Sequence, residues 1–431
     1  MLTVALTLNV AIGLALLVLL YAAIIREVAH RTVVALFFAA LVVALNFFLR
    51  YTEFGNFITA IDLDTILLLM CMMILVGIMS RTGVFSYIAA KIVEKTHASP
   101  FILVMVLSGI TALISAFIDN VTTVLILSPI VIEAARKIRI DPRPALLAIV
   151  FASNIGGTAT LIGDPPNILI GSAADLGFMD FIYNVGPAVL LSYVVFAGMV
   201  WLMFSHMLRR PEEVEISFKG EYSINKSLLV KVLSVLAAVV VLFTLEDMLH
   251  YPPAIPPLIG SGILLFLVRN ELTIEDALRS VDWTTLVFFM GMFIVIKGIE
   301  ELGVMNFIAQ GLLAIGGGLN VLMLLIVWVS AIVSAFVDNI PFVMSMIPVI
   351  ASIASMSHID PAPLYWSLSL GGCFGGNGTL VGASANVVVA GIAERYGTPL
   401  SFTEFMKYGM MVTIATVSVA SAYLILRYGI I

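Results

Sequence analysis

Two short acidic motifs, Asp119-Asn120 and Asp338-Asn339, each interrupt an apolar stretch that is longer than one membrane span. An ionised carboxylate inside a membrane-spanning segment costs about 2.5 to 3.5 kcal/mol, so each aspartate requires a compensating partner. Carboxylate, amide and hydroxyl oxygens together suit a hard cation or a proton. The hydroxyl residues near the motifs are Ser115, Thr122 and Thr123 in the first stretch and Ser334 and Ser345 in the second.

The two aspartates have two interpretations. As a possible Na+ site, Asp119, Asn120, Asp338 and Asn339 provide carboxylate and neutral amide oxygens. Burial favours the protonated carboxyl and a bound cation favours the ionised one, so such a group can exchange a proton for a metal ion. Alternatively the aspartates are helix N-caps and the asparagines form hydrogen bonds across a hairpin.

A glycine-rich segment begins 35 residues after each aspartate, at Asn154 and at Cys373. Glycine and proline crowded into an apolar span break the helix, and the freed backbone groups must line a cavity or find protein partners. Close helix packing through small residues is the alternative. The candidate binding residues of these segments are Asn154, Gly156, Gly157, Thr158, Asp164 and Asn167, and Cys373, Gly375, Gly376, Asn377, Thr379, Ser384 and Asn386.

The two glycine-rich segments differ at one place. Asp164-Pro165-Pro166 in the first aligns with Ala383-Ser384-Ala385 in the second, so Asp164 is a third carboxylate that only one segment carries. It is either a coupling residue or a loop cap.

The chain that must position these site residues is 431 residues long, and 61% of its residues are hydrophobic and 11% charged. Its mean hydropathy is +1.13. Soluble domains have about 25% charged residues, so we expect an integral membrane protein, and nothing supports nucleic-acid binding. The apolar runs have the length of helical spans rather than of barrel strands. The first run, residues 2–25, is predicted to be a retained span. The only cysteines, Cys71 and Cys373, indicate no disulfide framework and are interpreted as packing residues.

Ten spans and two re-entrant hairpins, at 100–135 and 319–357, account for the apolar runs. With both termini outside the cell membrane, this topology places 18 of the 21 Lys and Arg residues in the cytoplasm. The predicted spans are 3–25, 32–49, 63–80, 145–165, 185–205, 228–246, 254–268, 283–298, 364–382 and 408–426.

The chain repeats itself at an offset of 219 residues: Ser115 to Asn120 aligns with Ser334 to Asn339, and Asn167 aligns with Asn386. We predict a first repeat over 1–205 with a broken helix at 145–167, a cytoplasmic linker at 206–227, and a second repeat over 228–431 with a broken helix at 364–386. Five spans in each repeat invert the second copy. Inverted repeats are typical of secondary transporters, whose sites lie at the membrane midplane.

Neither hairpin core and neither glycine-rich break contains Lys or Arg. We therefore expect no counter-charge there for a multiply charged anion, and a cation or a small uncharged solute fits more easily. An anion would need helix N-termini and a co-bound cation.

These motifs resemble the ion transporter superfamily, in the branch of the arsenite-efflux permeases, the NhaD-type sodium/proton antiporters and the melanosomal P protein, which contain a citrate-transporter-like domain. The residues that carry the resemblance are Ile118 to Thr123, Asn154 to Asn167 and Gly375 to Asn386. The resemblance covers nearly the whole chain. It implies a homodimer in which a transport domain holding the hairpins and broken helices moves against a scaffold as an elevator.

The resemblance also suggests what is transported. Arsenite or antimonite efflux driven by proton exchange is the first candidate and Na+/H+ exchange the second, with Na+ or H+ as coupling ion and no other cofactor. A thiol-based arsenic site would need several clustered cysteines. Related sodium-coupled dicarboxylate carriers have Ser-Asn-Thr at the hairpin tips, whereas Asp119 and Asp338 take the serine position here, which disfavours carboxylate import. Some arsenite permeases also bind a soluble ATPase.

Two other function classes remain open. An anion channel is one, because the P protein has been linked to anion conductance. An intramembrane aspartyl protease is the other, and it would require Asp119 and Asp338 to face each other at carboxyl contact distance. No companion protease motif is present, and we expect no enzyme.

Overall fold

The computed structural model describes residues 8–95, 100–205, 207 and 223–429. Every regular element in these ranges is a helix, which confirms the predicted all-α polytopic class. Nine helical stretches among the described residues are long and apolar enough to cross a bilayer. They are Leu8–Ile25, Arg31–Leu49, Phe54–Ser80, Gly186–Phe204, Lys226–Glu246, Trp283–Glu301, Gly318–Phe336, Asn339–Ser357 and Phe402–Tyr428.

The helix order of the first half of the chain is repeated in the second. The first half contains α1 (Leu8–Ile25), α2 (Arg31–Leu49), α3 (Phe54–Thr59), α4 (Leu63–Ser80), α5 (Val84–Lys95), α6 (Pro100–Ser115), α7 (Asn120–Lys137), α8 (Arg143–Gly157), α9 (Pro165–Ala174), α10 (Phe178–Asn184) and α11 (Gly186–Phe204).

The second half contains α12 (Lys226–Leu249), α13 (Ile255–Val268), α14 (Ile274–Leu278), α15 (Trp283–Glu301), α16 (Val304–Ile315), α17 (Gly318–Phe336), α18 (Asn339–Ser357), α19 (Ala362–Gly375), α20 (Ser384–Arg395) and α21 (Phe402–Tyr428). Helices α12 to α20 follow the order of α1 to α9. Helix α21 covers the stretch for which the first half uses α10 and α11.

The helix pairs α6–α7 and α17–α18 occupy the stretches predicted as hairpins, 100–135 and 319–357. Helices α17 and α18 are each also long and apolar enough to cross a bilayer. Each return helix begins directly after the acidic residue of its tip. Asp119 accepts a hydrogen bond from the Thr122 backbone N–H at 2.8 Å, and Asp338 accepts one from the Ile340 backbone N–H at 3.2 Å. Capping by these carboxylates therefore fixes where each return helix starts.

The predicted spans 145–165 and 364–382 are not continuous helices. Helix α8 ends at Gly157 and α9 begins at Pro165, while α19 ends at Gly375 and α20 begins at Ser384. Glycines end the first half-helix in both cases, and a proline at the first helical position favours the start of α9. These interruptions lie where the sequence predicts the broken helices.

Two amphipathic helices, α5 and α16, are missing from the ten predicted spans. Both precede a hairpin, and both follow a glycine with a left-handed backbone, Gly83 at φ +76° and Gly303 at φ +86°. Helix α5 contains Lys91, and a charged stretch of this kind is typical of a cytoplasmic flank rather than of a span. The glycine turns let the chain fold back before each hairpin.

Two groups of helices pack around the breaks. The core helices, α6 to α9 and α17 to α20, contact each other within and between the two halves. The frame helices, α1, α2, α4, α12, α13 and α15, pair mainly across the halves, α2 on α15 and α4 on α13. The predicted linker 206–227 lies mostly outside the described residues. Near its end, the Asn225 backbone N–H donates to the Thr82 carbonyl at 3.0 Å.

Candidate functional site

Both hairpin tips meet at Asp164 in the break between α8 and α9. Asn120 donates to one carboxylate oxygen of Asp164 and Asn339 donates to the other, each at 3.4 Å. Asp164 is buried, and although it precedes α9 its side chain forms no capping bond. The loop-cap interpretation of Asp164 is therefore not what the geometry supports. This carboxylate joins the two repeats through a pair of neutral amides.

The two tip aspartates have different partners. Asp119 has its capping bond, and no Lys, Arg or His among the described residues forms an ion pair with it. Asp338 has a cationic partner, because Nη1 of Arg31 lies 2.5 Å from its Oδ2. The two motifs therefore share a sequence but not an electrostatic environment.

Arg31 corrects the expectation that no counter-charge is available at the hairpins. It is the first residue of α2, on a frame helix and outside the hairpins and breaks. The same Nη1 donates to the Ser384 hydroxyl at 2.6 Å, and Nη2 donates to the Thr285 hydroxyl at 3.2 Å. The two residues are 307 positions apart in the sequence, so their contact is not visible from local sequence.

Buried amides connect the two breaks. Asn154 donates from Nδ2 to Oδ1 of Asn377 and to Oδ1 of Asn386, both at 3.0 Å, and accepts from Asn120 at 3.2 Å. The aligned residue in the second repeat is Cys373, whose thiol donates to Oδ1 of Asn167 at 3.7 Å. The amide of Asn154 and the thiol of Cys373 thus occupy equivalent positions in the two repeats, within one hydrogen-bond network that joins them.

Asn167 and Asn386 hold the two breaks in the same way. Asn167 donates to the carbonyls of Thr158 and Thr160 at 3.0 and 2.8 Å. Asn386 donates to the carbonyls of Gly376 and Thr379 at 2.7 and 2.8 Å. Unwinding exposes these carbonyls in a buried region, where each needs a donor. Both amide nitrogens are therefore used by the backbone.

Other predicted site residues attach the hairpins to the breaks. Ser115 shares a hydrogen bond with Ser153, and Ser334 donates to the Gly372 carbonyl at 2.6 Å. Thr160 and Thr379 donate to equivalent hairpin carbonyls, those of Ala116 and Ala335. A β-carbon at Gly156 would overlap the Ala112 carbonyl, and one at Gly375 would overlap the Ala331 carbonyl. A β-carbon at Gly157 would lie 2.8 Å from the Gly163 carbonyl oxygen, which is also too close.

A cavity of about 200 Å³ lies where the tips approach the frame helices. Six predicted residues line it: Asp119, Asn120, Thr122, Asp164, Asn339 and Ser384. Arg31, Ser280, Asp282 and Thr285 complete its polar wall, and Met72 and Met73 contribute to its apolar wall. Asp282 caps α15 and accepts a hydrogen bond from the Thr285 backbone N–H at 3.1 Å.

The remaining predicted residues do not line this cavity. Asp338 borders a neighbouring cleft of about 560 Å³, together with Glu27, His30 and Arg31. The others lie behind the cavity, in the hydrogen bonds and seams described above: Ser115, Asn154, Gly156, Gly157, Thr158, Asn167, Ser334, Cys373, Gly375, Gly376, Asn377, Thr379 and Asn386.

A further cleft, of about 660 Å³, is related to the cavity by the sequence repeat. It is lined by Asp62, which caps α4 as Asp282 caps α15, and it contains neither tip aspartate. Five pairs within one residue of the repeat offset line the cleft and the cavity respectively. Leu169 and Val388 are 219 residues apart, and the other four pairs are 220 apart: Asp62 and Asp282, Ala60 and Ser280, Phe293 and Met73, and Ile296 and Val76.

Residues 21–371 match the family model described as citrate transporter, CitMHS. The chain belongs to the citrate transporter family. This confirms the resemblance to the ion transporter superfamily, which the tip and break motifs indicated. The family is one of membrane transporters, in line with the expectation that the chain is not an enzyme.

Three relatives match nearly the whole chain. The 46 kDa membrane protein of Mycobacterium leprae is 40% identical over 97% of this chain and 98% of its own length. The uncharacterized transporter Rv2684 of Mycobacterium tuberculosis is 38% identical over 97% of this chain and 99% of its own. The human P protein is 31% identical over 98% of this chain, which corresponds to 60% of the P protein.

A solved structure shares the fold of this citrate transporter family member. The crystal structure of the YdaH transporter of Alcanivorax borkumensis, described as having an unusual topology, superposes with a TM-score of 0.62. The match covers 93% of this chain and 98% of the other at 16% identity.

The cysteines of this citrate transporter family member are both buried, Cys71 in α4 and Cys373 in α19. Among the described residues, no group of three or more His, Cys, Asp or Glu side chains is placed to hold a metal ion. A site built from clustered thiols is therefore not formed by this part of the chain.

Proposed function

We propose that the chain is an ion-coupled secondary transporter in which the Asp119 carboxylate exchanges a proton for a cation. The observation that carries the proposal is the charge of the cavity between the hairpin tips and the frame. Asp119, Asp164 and Asp282 line it, and its only lining cation among the described residues, Arg31, is already paired with Asp338.

This balance of charge favours a cation over a multiply charged anion. Carboxylates in a partly desolvated cavity attract cations and protons more strongly than they would in water. A tricarboxylate would meet three acidic groups there, so the citrate in the family description is not the cargo that we propose. The side-chain oxygens of Asn120 and Thr122 are further neutral ligands for a small cation.

Repeat-related clefts support a carrier rather than a channel. The cavity reaches Asp119 and borders Ser280 and Asp282, which follow Arg279 in a loop predicted to be cytoplasmic. Its counterpart, lined by Asp62, belongs to the predicted outer face and stops short of the tips. We propose that the core helices move against the frame helices as an elevator, so that each cleft reaches the tips in turn.

Na+/H+ exchange is the substrate assignment that we favour. Proton-driven efflux of arsenite or antimonite is the second candidate, because uncharged As(III) hydroxide can hydrogen-bond to the amides of Asn120 and Asn339 without a thiol. In both cases Na+ or H+ is the coupling ion, and the carrier lies in the cell membrane with both termini outside.

A proteoliposome flux panel tests the proposal. Purified protein is reconstituted with an internal pH-sensitive dye, an inward-acid gradient is imposed, and Na+, As(III), Cl- or citrate is added. We expect Na+, or As(III) with proton counter-movement, to dissipate the gradient, and Asp119→Asn to remove the response. Transport of citrate or Cl- with no response to Na+ or As(III) would refute the proposal. Currents far above carrier turnover would instead favour the channel.

A further inference from the structure

Arg31 occupies a position between the second hairpin tip and the frame. Its guanidinium contacts Oδ2 of Asp338 at 2.5 Å and the Ser384 hydroxyl at 2.6 Å on the core side. On the frame side it donates to Thr285 at 3.2 Å and lies 5.5 Å from the centre of the Phe288 ring. The side chains of Arg31 and Asp338 are only 25% and 12% exposed, so the pair is largely desolvated.

The first hairpin has no counterpart of this arrangement. At the offset of 219, Arg31 aligns with His250, an exposed residue at the end of α12, and the stretch 250–253 contains no Lys or Arg. Ser384, which shares the guanidinium with Asp338, aligns with Pro165, which has no donor or hydroxyl. Within the described residues Asp119 therefore faces the cavity without an ion-pair partner, whereas its counterpart Asp338 is paired with Arg31.

We infer that Arg31 is a tethered cation that fills, at Asp338, the place that the transported ion or proton takes at Asp119. The inference rests on the proposed function and assigns unequal roles to two carboxylates that the sequence makes look equivalent. A guanidinium stays protonated in proteins, so it neutralises Asp338 without exchanging a proton. Asp338 is then a positioning residue for the second tip, and coupling uses Asp119.

Charge-neutral replacement of the pair tests the inference. Arg31→Gln and Asp338→Asn each leave one desolvated charge unpaired. We therefore expect each variant to have a lower thermal midpoint and to lose most of its transport rate. Arg31→Gln with Asp338→Asn leaves no charge, and we expect the midpoint to recover and transport to return to within about threefold of wild type. Arg26→Gln, at an exposed position beside the same loop, is the matched control and should change neither quantity.

Asp119→Asn provides the contrasting arm, because no tethered cation accompanies it. We expect Arg31→Gln not to rescue Asp119→Asn, and we expect the Na+ or pH dependence of the thermal midpoint to persist in the double Arg31/Asp338 variant but to disappear in Asp119→Asn.

Two results would overturn the inference. In one, the double variant regains the wild-type midpoint but does not transport, which would make Asp338 an exchange site itself. In the other, the two single losses of midpoint add in the double variant, which would mean that the two charges are not coupled. Comparing the thermal midpoints of the two single variants and the double variant requires no transport measurement. The comparison therefore tests whether the two charges are coupled even if the flux panel contradicts the proposed function.

Discussion

Asn339, at the tip of the second hairpin, donates a 3.4 Å hydrogen bond to Asp164, which belongs to the break of the first repeat. The aligned Asn120 donates to the other oxygen of the same carboxylate. Asp164 is thus shared by two tips that the sequence places 219 residues apart, although only the first repeat encodes it. Any movement of one tip relative to the other must change a hydrogen bond at Asp164.

Asp164→Asn should reduce transport and stability together. An asparagine turns one of the two acceptor oxygens into a donor, so one of the tip amides would face an N–H in a buried site. We expect a loss of about 1 to 3 kcal/mol in unfolding free energy, measured by thermal denaturation in detergent. Asp175→Asn, an exposed aspartate at the end of α9, is the control. Wild-type midpoint and flux in Asp164→Asn would show that the shared carboxylate is unimportant.

Asp119→Asn and Asp338→Asn should each strongly reduce transport while the protein still inserts and folds, and Asp338→Asn should also lower the thermal midpoint because it leaves Arg31 unpaired. Asparagine caps a helix nearly as well as aspartate, so the capping contribution should change by less than about 0.5 kcal/mol. We expect the flux to fall about tenfold or more, which equals about 1.4 kcal/mol in barrier height.

The control for these two variants is Asp360→Asn. Asp360 is exposed, lies before α19, and accepts from the Ala362 backbone N–H at 3.0 Å, so it shares the helix-start role without facing the tips. Normal flux in both tip variants would leave the aspartates as caps alone.

Removing the amides that hold the breaks should destabilise the fold rather than change ion selectivity. Asn167→Ala and Asn386→Ala each leave two buried carbonyls without their donor, which we expect to cost about 1 to 3 kcal/mol per variant. Asn306→Ala, at an exposed position on α16, serves as control. Variants with a wild-type thermal midpoint but an altered ion preference would indicate that these amides bind the cargo instead.

Gly156→Ala and Gly375→Ala should separate a hairpin arm from its broken helix. The added methyl group would overlap the carbonyl of Ala112 or of Ala331, so backbone must move, at an expected cost of about 1 to 3 kcal/mol. At Gly198, on α11, nothing lies within 4 Å of the added carbon. Gly198→Ala should therefore be neutral or stabilising by up to about 1 kcal/mol. Equal thermal midpoints for all three variants would contradict the close packing.

Cysteine labelling should report opposite sides for the two repeat-related clefts. Ser280→Cys in the cavity should react with a membrane-impermeant maleimide from the cytoplasmic side, and Thr59→Cys in the larger cleft from the outside. Unmodified protein is a suitable background because Cys71 is 2% exposed and Cys373 is not exposed. Labelling of both positions from one side would contradict the proposed topology.

Local sequence features predicted much of this architecture. Asp119 and Asp338 mark the hairpin tips because an acidic residue in an apolar run has few other uses, and the return helices begin directly after them. The glycines at Gly157 and Gly375 mark the ends of α8 and α19 because they occur in pairs inside otherwise helical runs.

Contacts between residues that are distant in the sequence were not predictable from local features. The sequence predicts that Arg31 lies in a cytoplasmic loop, because nothing in its neighbours along the chain indicates a contact with a carboxylate 307 residues away. The different roles of the asparagines were equally hidden. Asn120 and Asn339 face a carboxylate while Asn167 and Asn386 bind backbone, although all four are the same residue type in aligned motifs.

The glycine seams between α6 and α8 and between α17 and α19 also constrain how the gene can change. At Gly156 and Gly375 the backbone of the neighbouring helix occupies the space that a larger side chain would need. We therefore expect these two positions to accept almost no substitution while the surrounding residues diverge. Descendants of the original half-length gene should therefore keep glycine there even after the tips, loops and cargo have changed.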